Sequence, residues 1–286
     1  MGLSSTARFA PLLFVLLWST GFIGAKFGMP HADPLTFLLI RYLLVLALMT
    51  TLALAMRAPW PRDARQWFHI GVSGLLVHAV YLGGVFVAIS RGLPAGVASL
   101  VVGIQPLLTA VGAGWLLNET VLKRQWLGLV LGFAGVGMVV SGKLGSGFGL
   151  DALWPALAAL AGITAGTLYQ KRFCPSFDWR TGAIAQFLPT MVATALVVGT
   201  AGSYRVEWVP EFIFALGWLV LVLSLGAVSL LNMLIRRGTA VNVASLFYLV
   251  PPSTALIAWL LFDERLAGMA LLGMALAVWG VYLARK

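Results

Sequence analysis

The chain has 286 residues, 60% of them hydrophobic and only 10% charged, with a mean hydropathy of +0.97. So little polar surface cannot cover a water-soluble globule, which excludes a cytosolic enzyme or a nucleic-acid-binding domain and puts the chain in lipid. The formal charge of +10 then becomes a question of which membrane face the cations occupy, and the single cysteine, Cys174, excludes an intramolecular disulfide or a thiolate metal site.

Apolar runs of roughly 20 residues, enough to cross the hydrocarbon core as helices, fall at 9–28, 34–56, 67–90, 94–117, 126–141, 150–170, 181–201, 209–235, 239–262 and 266–284. These runs lack the alternation of a membrane barrel, so an all-α membrane protein with ten spans is expected. The first run carries Trp18 beside Ser19 and Thr20, a candidate for an aromatic wall. Its apolar stretch is long and shows no small-residue cleavage site, so it reads as a retained span rather than a signal peptide. The second run holds Arg41, a basic residue well inside a span; it either snorkels to the interface or pairs with a helix-end carbonyl, or else touches a solute. In the third, His78 and Tyr81 stand three residues apart and share a helical face.

The fourth run places Gln105 and Pro106 near its middle and closes at Glu119. The fifth is short, and residues 143–149 are a Gly-rich joint. Tyr169 lies in the sixth run, Asn232 in the eighth, and Tyr248 with Pro251 and Pro252 near the middle of the ninth, which closes at Glu264. Proline removes a backbone hydrogen bond and frees the carbonyl four residues earlier, those of Val102, Phe247 and Tyr248, so both helices are expected to kink at the same depth. Polar side chains facing lipid cost several kcal/mol at most estimates, so these residues point inward, either to a wet cavity or to a neighbouring helix. Glu119 and Glu264 either latch a gate or cap the following helix.

The chain also repeats itself at an offset of about 145 residues. Lys26 and Asp33 fall on Lys171 and Asp178, Arg91-Gly92 on Arg237-Gly238, Val97-Ala98-Ser99-Leu100 on Val243-Ala244-Ser245-Leu246, Pro106 on Pro252, Glu119 on Glu264, and Gly128 and Gly135 on Gly273 and Gly280. A first unit of five spans over 1–142 and a second over 150–286 must enter the bilayer in opposite directions, because the span number is odd. Such inverted repeats supply two nearly equivalent conformations open to opposite sides. With the amino terminus cytoplasmic, that face carries Arg8, Arg57, Arg62, Arg65, Lys123, Arg124, Lys171, Arg172, Arg180, Arg236, Arg237, Arg285 and Lys286, against Lys26, Arg91, Lys143, Arg205 and Arg265 on the other. Both termini are therefore expected in the cytoplasm.

No Gly-Lys-Ser/Thr phosphate loop is present, the three histidines His31, His69 and His78 have no metal-ligand spacing, and every acidic residue lies at or near a span end. No catalytic residue, metal or cofactor is expected. Without a mid-membrane carboxylate, transport is either facilitated or coupled through a weaker group such as His78.

Leu17-Trp18-Ser19-Thr20-Gly21-Phe22, the Phe37 to Arg41 pattern, and Pro106 to Glu119 mirrored by Pro252 to Glu264 resemble the repeat signature of the drug/metabolite transporter superfamily, specifically its ten-span EamA-type exporters. The resemblance covers essentially the whole chain. It implies a central cavity lined by the first, third, fourth, sixth, eighth and ninth spans, the helices that bear Trp18, His78, Tyr81, Gln105, Tyr169, Asn232 and Tyr248. It further implies a transporter of the bacterial inner membrane whose partners are a small-molecule substrate and lipid, monomeric or weakly dimeric. An aromatic lining fits an apolar side chain and an ammonium group, and amides fit a carboxylate. The expected cargo is amino acids, aromatic ones included, with a multidrug or organic-cation exporter and a lipid-modifying membrane enzyme as alternatives.

Overall fold

The computed structural model describes residues 5–93, 95–141, 149–174, 176–201, 204–262 and 268–285. The predicted joint at 143–148 and the predicted Glu264 lie outside the described residues. Among the described residues the fold is all helical apart from an isolated bridge between Ala32 and Val206. Eight helical segments are long and apolar enough to cross a membrane, and the 13-residue stretch Phe9–Gly21 is a shorter apolar one.

In chain order, α1 is Ser5–Gly28, α2 is Pro34–Ala55 and α3 is Ala64–Gly74. A π-helical segment Leu75–Leu82 joins α3 to α4, Gly83–Ser90. The next span is broken into α5 (Ala95–Val102) and α6 (Gln105–Leu116), followed by α7 (Lys123–Val140), α8 (Leu150–Phe173) and α9 (Trp179–Ala201). Then α10 (Pro210–Trp218) runs through a second π segment, Leu219–Ala227, into α11 (Val228–Arg237). The last elements are α12 (Ala240–Ser245), a 3₁₀ turn Leu246–Leu249, α13 (Val250–Phe262) and α14 (Gly268–Arg285).

Local chemistry sets several of these limits. Asp63 accepts from the Gln66 backbone N–H at 2.7 Å, so α3 begins three residues before the expected apolar run. The Leu122 N–H donates to Gln125 Oε1 at 3.0 Å and starts α7 earlier in the same way. Pro34 and Pro210 occupy first-turn positions, where a missing N–H costs nothing. The expected proline kinks are sharper than bends: Pro106 opens α6 after a break at Gly103-Ile104, and Pro251 and Pro252 follow the 3₁₀ turn.

Packing crosses between the halves of the chain. α7 lies along α14 and α2 along α9. α1 packs on α10, the second π segment and α13, while α8 packs on the first π segment, α4 and α6. Large apolar side chains cover the outside, with Trp115 87% and Leu150 77% exposed, alongside Trp154, Leu196 and Trp279. That much apolar surface is stable only against lipid.

Candidate substrate-binding site

Where the spans break, they leave a small cavity of about 30 Å³, lined by Trp18, Tyr81, Val85, Ala98, Ser99, Val102, Gly103, Phe247, Val250 and Pro251. Each wall comes from an irregularity. The first π segment turns Tyr81 inward, the α5–α6 break exposes backbone at Gly103, and the 3₁₀ turn presents Phe247. A Cβ at Gly103 would lie 3.0 Å from the Ser99 carbonyl oxygen, so glycine is what the break accommodates.

Aromatic rings organise the wall. Trp18 meets Phe247 edge to face at 5.5 Å, Phe14 packs on both at 5.2 and 5.4 Å, and Trp18 lies nearly parallel to Tyr81 at 6.5 Å. Polar contacts are weaker: the Ser19 hydroxyl donates to the Val15 carbonyl at 2.7 Å within α1 and only approaches that of Val250 at 3.3 Å, and Thr254 Oγ1 donates to the Ser19 carbonyl at 3.4 Å. The last of these is long, so the aromatic contacts are the firmer part of this seam.

Of the residues selected from the sequence, Trp18, Tyr81 and Pro251 line the cavity; the others do not. His78 does not share Tyr81's face, because a π turn holds more residues than an α turn and i, i+3 neighbours diverge. His78 instead stacks on Phe187 of α9 at 4.3 Å with neither ring nitrogen hydrogen-bonded. Tyr248 is rotated away by the 3₁₀ turn and lies over Gly132 of α7, its hydroxyl unpartnered, while its neighbour Phe247 takes the cavity position. Gln105 is buried and donates to Thr109 Oγ1 at 3.0 Å, with its own oxygen unpartnered. Tyr169 pairs with His69 Nδ1 at 2.7 Å near one end of the bundle. Pro106 and Pro252 are buried outside the lining.

Asn232 belongs to a closed ring of buried amides. Gln170 Nε2 donates to Asn232 Oδ1 at 3.0 Å, Asn232 Nδ2 to Gln186 Oε1 at 3.0 Å, and Gln186 Nε2 to Ser73 Oγ at 3.1 Å and Gln170 Oε1 at 3.4 Å. Sequence reading missed Gln170 and Gln186; their signal was the same as Asn232's, an amide inside an apolar run. Arg41 does not snorkel. It is 1% exposed, and its Nε donates to Ser224 Oγ at 3.1 Å.

Beyond the amide ring, this end of the bundle is tied by polar contacts. Glu119 caps not the next helix but α12, accepting from the Ala240 N–H at 3.0 Å. Lys171 Nζ donates to the Gly238 carbonyl at 2.5 Å, and Arg236 Nη1 to that of Phe177, also at 2.5 Å. Where the α8–α9 loop enters α9, the Arg180 guanidinium binds both oxygens of Asp178, a loop residue outside the spans, at 2.8 and 2.9 Å and holds that carboxyl below the usual carboxylate range, with the Arg180 backbone N–H assisting. A depressed carboxylate stabilises fully above its unfolded pKa, about 3.9, and that stabilisation is lost as pH falls through the lower native value. Thermal unfolding in detergent is therefore expected to show a steeper fall in Tm below about pH 4 for the wild type than for Asp178→Asn; parallel slopes would refute the assignment.

An apolar helical bundle broken around an aromatic cavity defines a polytopic membrane protein. Residues 7–141 match the profile of the EamA-like transporter family. Over 280 residues the chain is 28% identical to the "Uncharacterized transporter YvbV" of Bacillus subtilis (strain 168), covering 94% of this chain and 88% of that one. It is 27% identical to the "Probable amino-acid metabolite efflux pump" of Escherichia coli (strain K12), over 95% of this chain and 92% of that one. A crystal structure that is 22% identical superposes over 98% of this chain and 96% of its own with a TM-score of 0.80, which establishes a shared fold. Over residues 7–141 the chain resembles the EamA-like transporters, and over nearly its whole length it is similar to proteins named as transporters. Its described helices are long and apolar enough to cross a membrane several times.

Proposed function

We propose that this protein exports small amphiphilic metabolites, amino acids including aromatic ones foremost, across the inner membrane by alternating access. The observation that carries the reading is the cavity itself: aromatic rings from α1, the first π segment and the 3₁₀ turn line it where the spans break. The printed name of the Escherichia coli relative, an amino-acid metabolite efflux pump, points to the same cargo class.

The ten-span reading, with units at 1–142 and 150–286 inverted around the cavity and both termini cytoplasmic, is supported by reciprocal packing. On α7 and α14, a Cβ at Gly128 would meet the Gly280 oxygen at 2.5 Å, and one at Gly280 would meet the Gly128 oxygen at 2.6 Å. Gly135 and Gly273 repeat the relation at 2.6 Å each way. Contacts of i on j together with j on i are the signature of a two-fold axis. The π segments Leu75–Leu82 and Leu219–Ala227 fall at repeat-equivalent positions, as do the breaks before Pro106 and Pro252. Helices broken at mid-membrane are where such carriers bind substrate.

The polar ties among Glu119, Ala240, Lys171 and Gly238 lie at the end that carries most of the cations, so this conformation is closed toward the cytoplasm. In liposomes loaded with labelled phenylalanine, Trp18→Ala and Tyr81→Ala are each expected to raise KM by about tenfold, from the loss of ring contact and buried area. Both variants should still insert, with a lowered Tm because each removes a buried ring, 5% and 3% exposed. Undiminished transport in both would remove the cavity from the pathway.

A further inference from the structure

The most demanding group in the membrane-embedded part is Arg41. A guanidinium does not lose its proton in proteins, so this side chain buries a full charge at 1% exposure. Among the described residues its one hydrogen bond is from Nε to Ser224 Oγ at 3.1 Å. Ser224 commits its own proton to the Leu219 carbonyl at 3.1 Å, so the serine can only accept from Arg41. The ion pairs among the described residues, Arg180 with Asp178, Arg205 with Glu207 and His31 with Glu207, all lie in loops or at span ends. A buried cation with no counter-charge among the described residues is costly, by several kcal/mol at least.

The other half of the chain shows what this position looks like without the charge. At the repeat offset that carries Lys26 to Lys171 and Asp33 to Asp178, Arg41 corresponds to Gln186. Gln186 also reaches a serine of a span in the opposite half, Ser73, but as a neutral amide whose oxygen and nitrogen are both partnered. Tying spans together at this position therefore needs only an amide. The cation answers a different demand.

Its location says which. Tyr42, the next residue, donates to the His78 carbonyl at 2.8 Å and so fixes α2 against the first π segment. Tyr81 of that segment lines the cavity and lies within electrostatic reach of Arg41. Ser224 sits in the second π segment, whose Leu223 packs against Gly21 of α1, a turn from Trp18. Arg41 thus stands between the two π segments, behind the wall formed by Trp18 and Tyr81. The cavity lining contains no charged residue, so a zwitterion or organic acid entering it has Arg41 as its nearby cation.

We propose that Arg41 is the carboxylate subsite of the transporter, receiving the substrate's carboxylate on its Nη1–Nη2 edge while Ser224 holds Nε. A planar fork meeting a planar anion is the pairing for which arginine is suited and lysine is not. The inference rests on the amino-acid reading above and adds to it the group that recognises the acid.

The test uses the full-length protein in liposomes with labelled phenylalanine, competed by unlabelled phenylalanine or by phenylalaninamide, in which the carboxylate is replaced. The wild type is expected to prefer the free acid by at least about tenfold, the yield of a charge-assisted pair. Arg41→Gln should bring the acid-to-amide ratio close to one, Arg41→Lys should keep part of it, and Ser224→Ala should lower it severalfold. An unchanged ratio in Arg41→Gln overturns the proposal. If Arg41→Gln does not fold, the ratio in the wild type and in Ser224→Ala decides, and no preference in the wild type overturns it equally. Replacing chloride by gluconate should leave the ratio unaltered; a preference that appears only with chloride would make chloride the bound anion and refute the assignment. Wild-type protein that moves phenylalanine without regard to its carboxylate defeats this inference alone, whereas wild-type protein that moves no amino acid defeats the functional reading beneath it.

Discussion

Gly280→Leu is expected to abolish the seating of α14 on α7 and to lower stability by at least about 3 kcal/mol, the upper end of overpacking costs. An added Cβ at Gly280 would lie 2.4 Å from the Gly132 nitrogen, 2.6 Å from its Cα and 2.6 Å from the Gly128 oxygen. All three are backbone atoms of the facing helix, so no rotamer change can make room; the helices must separate along their shared length. Separation would also strip Tyr248 of the ring contact it makes with Gly132. By the reciprocal geometry, Gly128→Leu should be equally damaging, since its Cβ would meet the Gly280 oxygen and the Ala284 nitrogen at 2.5 Å. Gly217→Ala is the control: nothing lies within 4 Å of the added Cβ, so replacing a helical glycine there should be neutral or stabilising by up to about 1 kcal/mol. Detergent-solubilised protein followed by size exclusion and thermal unfolding separates these cases. A Gly280→Leu variant with wild-type Tm would mean that α7 and α14 do not pack this closely.

Much of this architecture is legible in the sequence because lipid makes hydropathy a nearly sufficient guide to where helices run. The glycines at 128, 135, 273 and 280 are likewise visible as a spaced series, and they prove to be the contact between α7 and α14. What is not legible is rotation about a helix axis. A π segment and an α-helix have the same apolar composition, so His78 and Tyr81 read as neighbours on a face, although one turns to Phe187 and the other to the cavity. A single 3₁₀ turn exchanges Tyr248 for Phe247 in the same way. Partners far apart in the chain are also hidden: nothing local tells that Glu119 caps Ala240, or that Gln170, Gln186 and Asn232 close a ring. Singly, each of these amides looks like an ordinary helix-to-helix hydrogen bond.

That ring carries the second large prediction. Gln186 is its hub, so Gln186→Leu, nearly equal in volume, removes the acceptor of Asn232 Nδ2 and a donor to Gln170 Oε1 while leaving the Gln170 to Asn232 bond in place. Two estimates of the effect disagree. If the loss is that of interhelical hydrogen bonds in a bilayer, each is worth only about 0.6 kcal/mol. If the loss is dominated by buried groups left without partners, each orphan costs about 1–3 kcal/mol. Ser73 retains its own bond to the Ile70 carbonyl at 2.7 Å and is not orphaned, so the second account predicts a loss of about 2–6 kcal/mol from the two amides. We expect the larger effect, because α3, α8, α9 and α11 enclose these groups at 1–4% exposure and no water path is available to relieve them. The accounts separate on the triple variant Gln170→Leu, Gln186→Leu, Asn232→Leu, which deletes every bond but leaves no amide orphaned. Under the orphan account it unfolds at a higher temperature than Gln186→Leu alone, as when a buried polar cluster is replaced whole by apolar groups; a triple variant less stable than the single would show that the bonds themselves supply the stability. The same comparison bears on transport, since an apolar substitute without directional bonds would let these four helices slide, and the closed end they hold would open more readily.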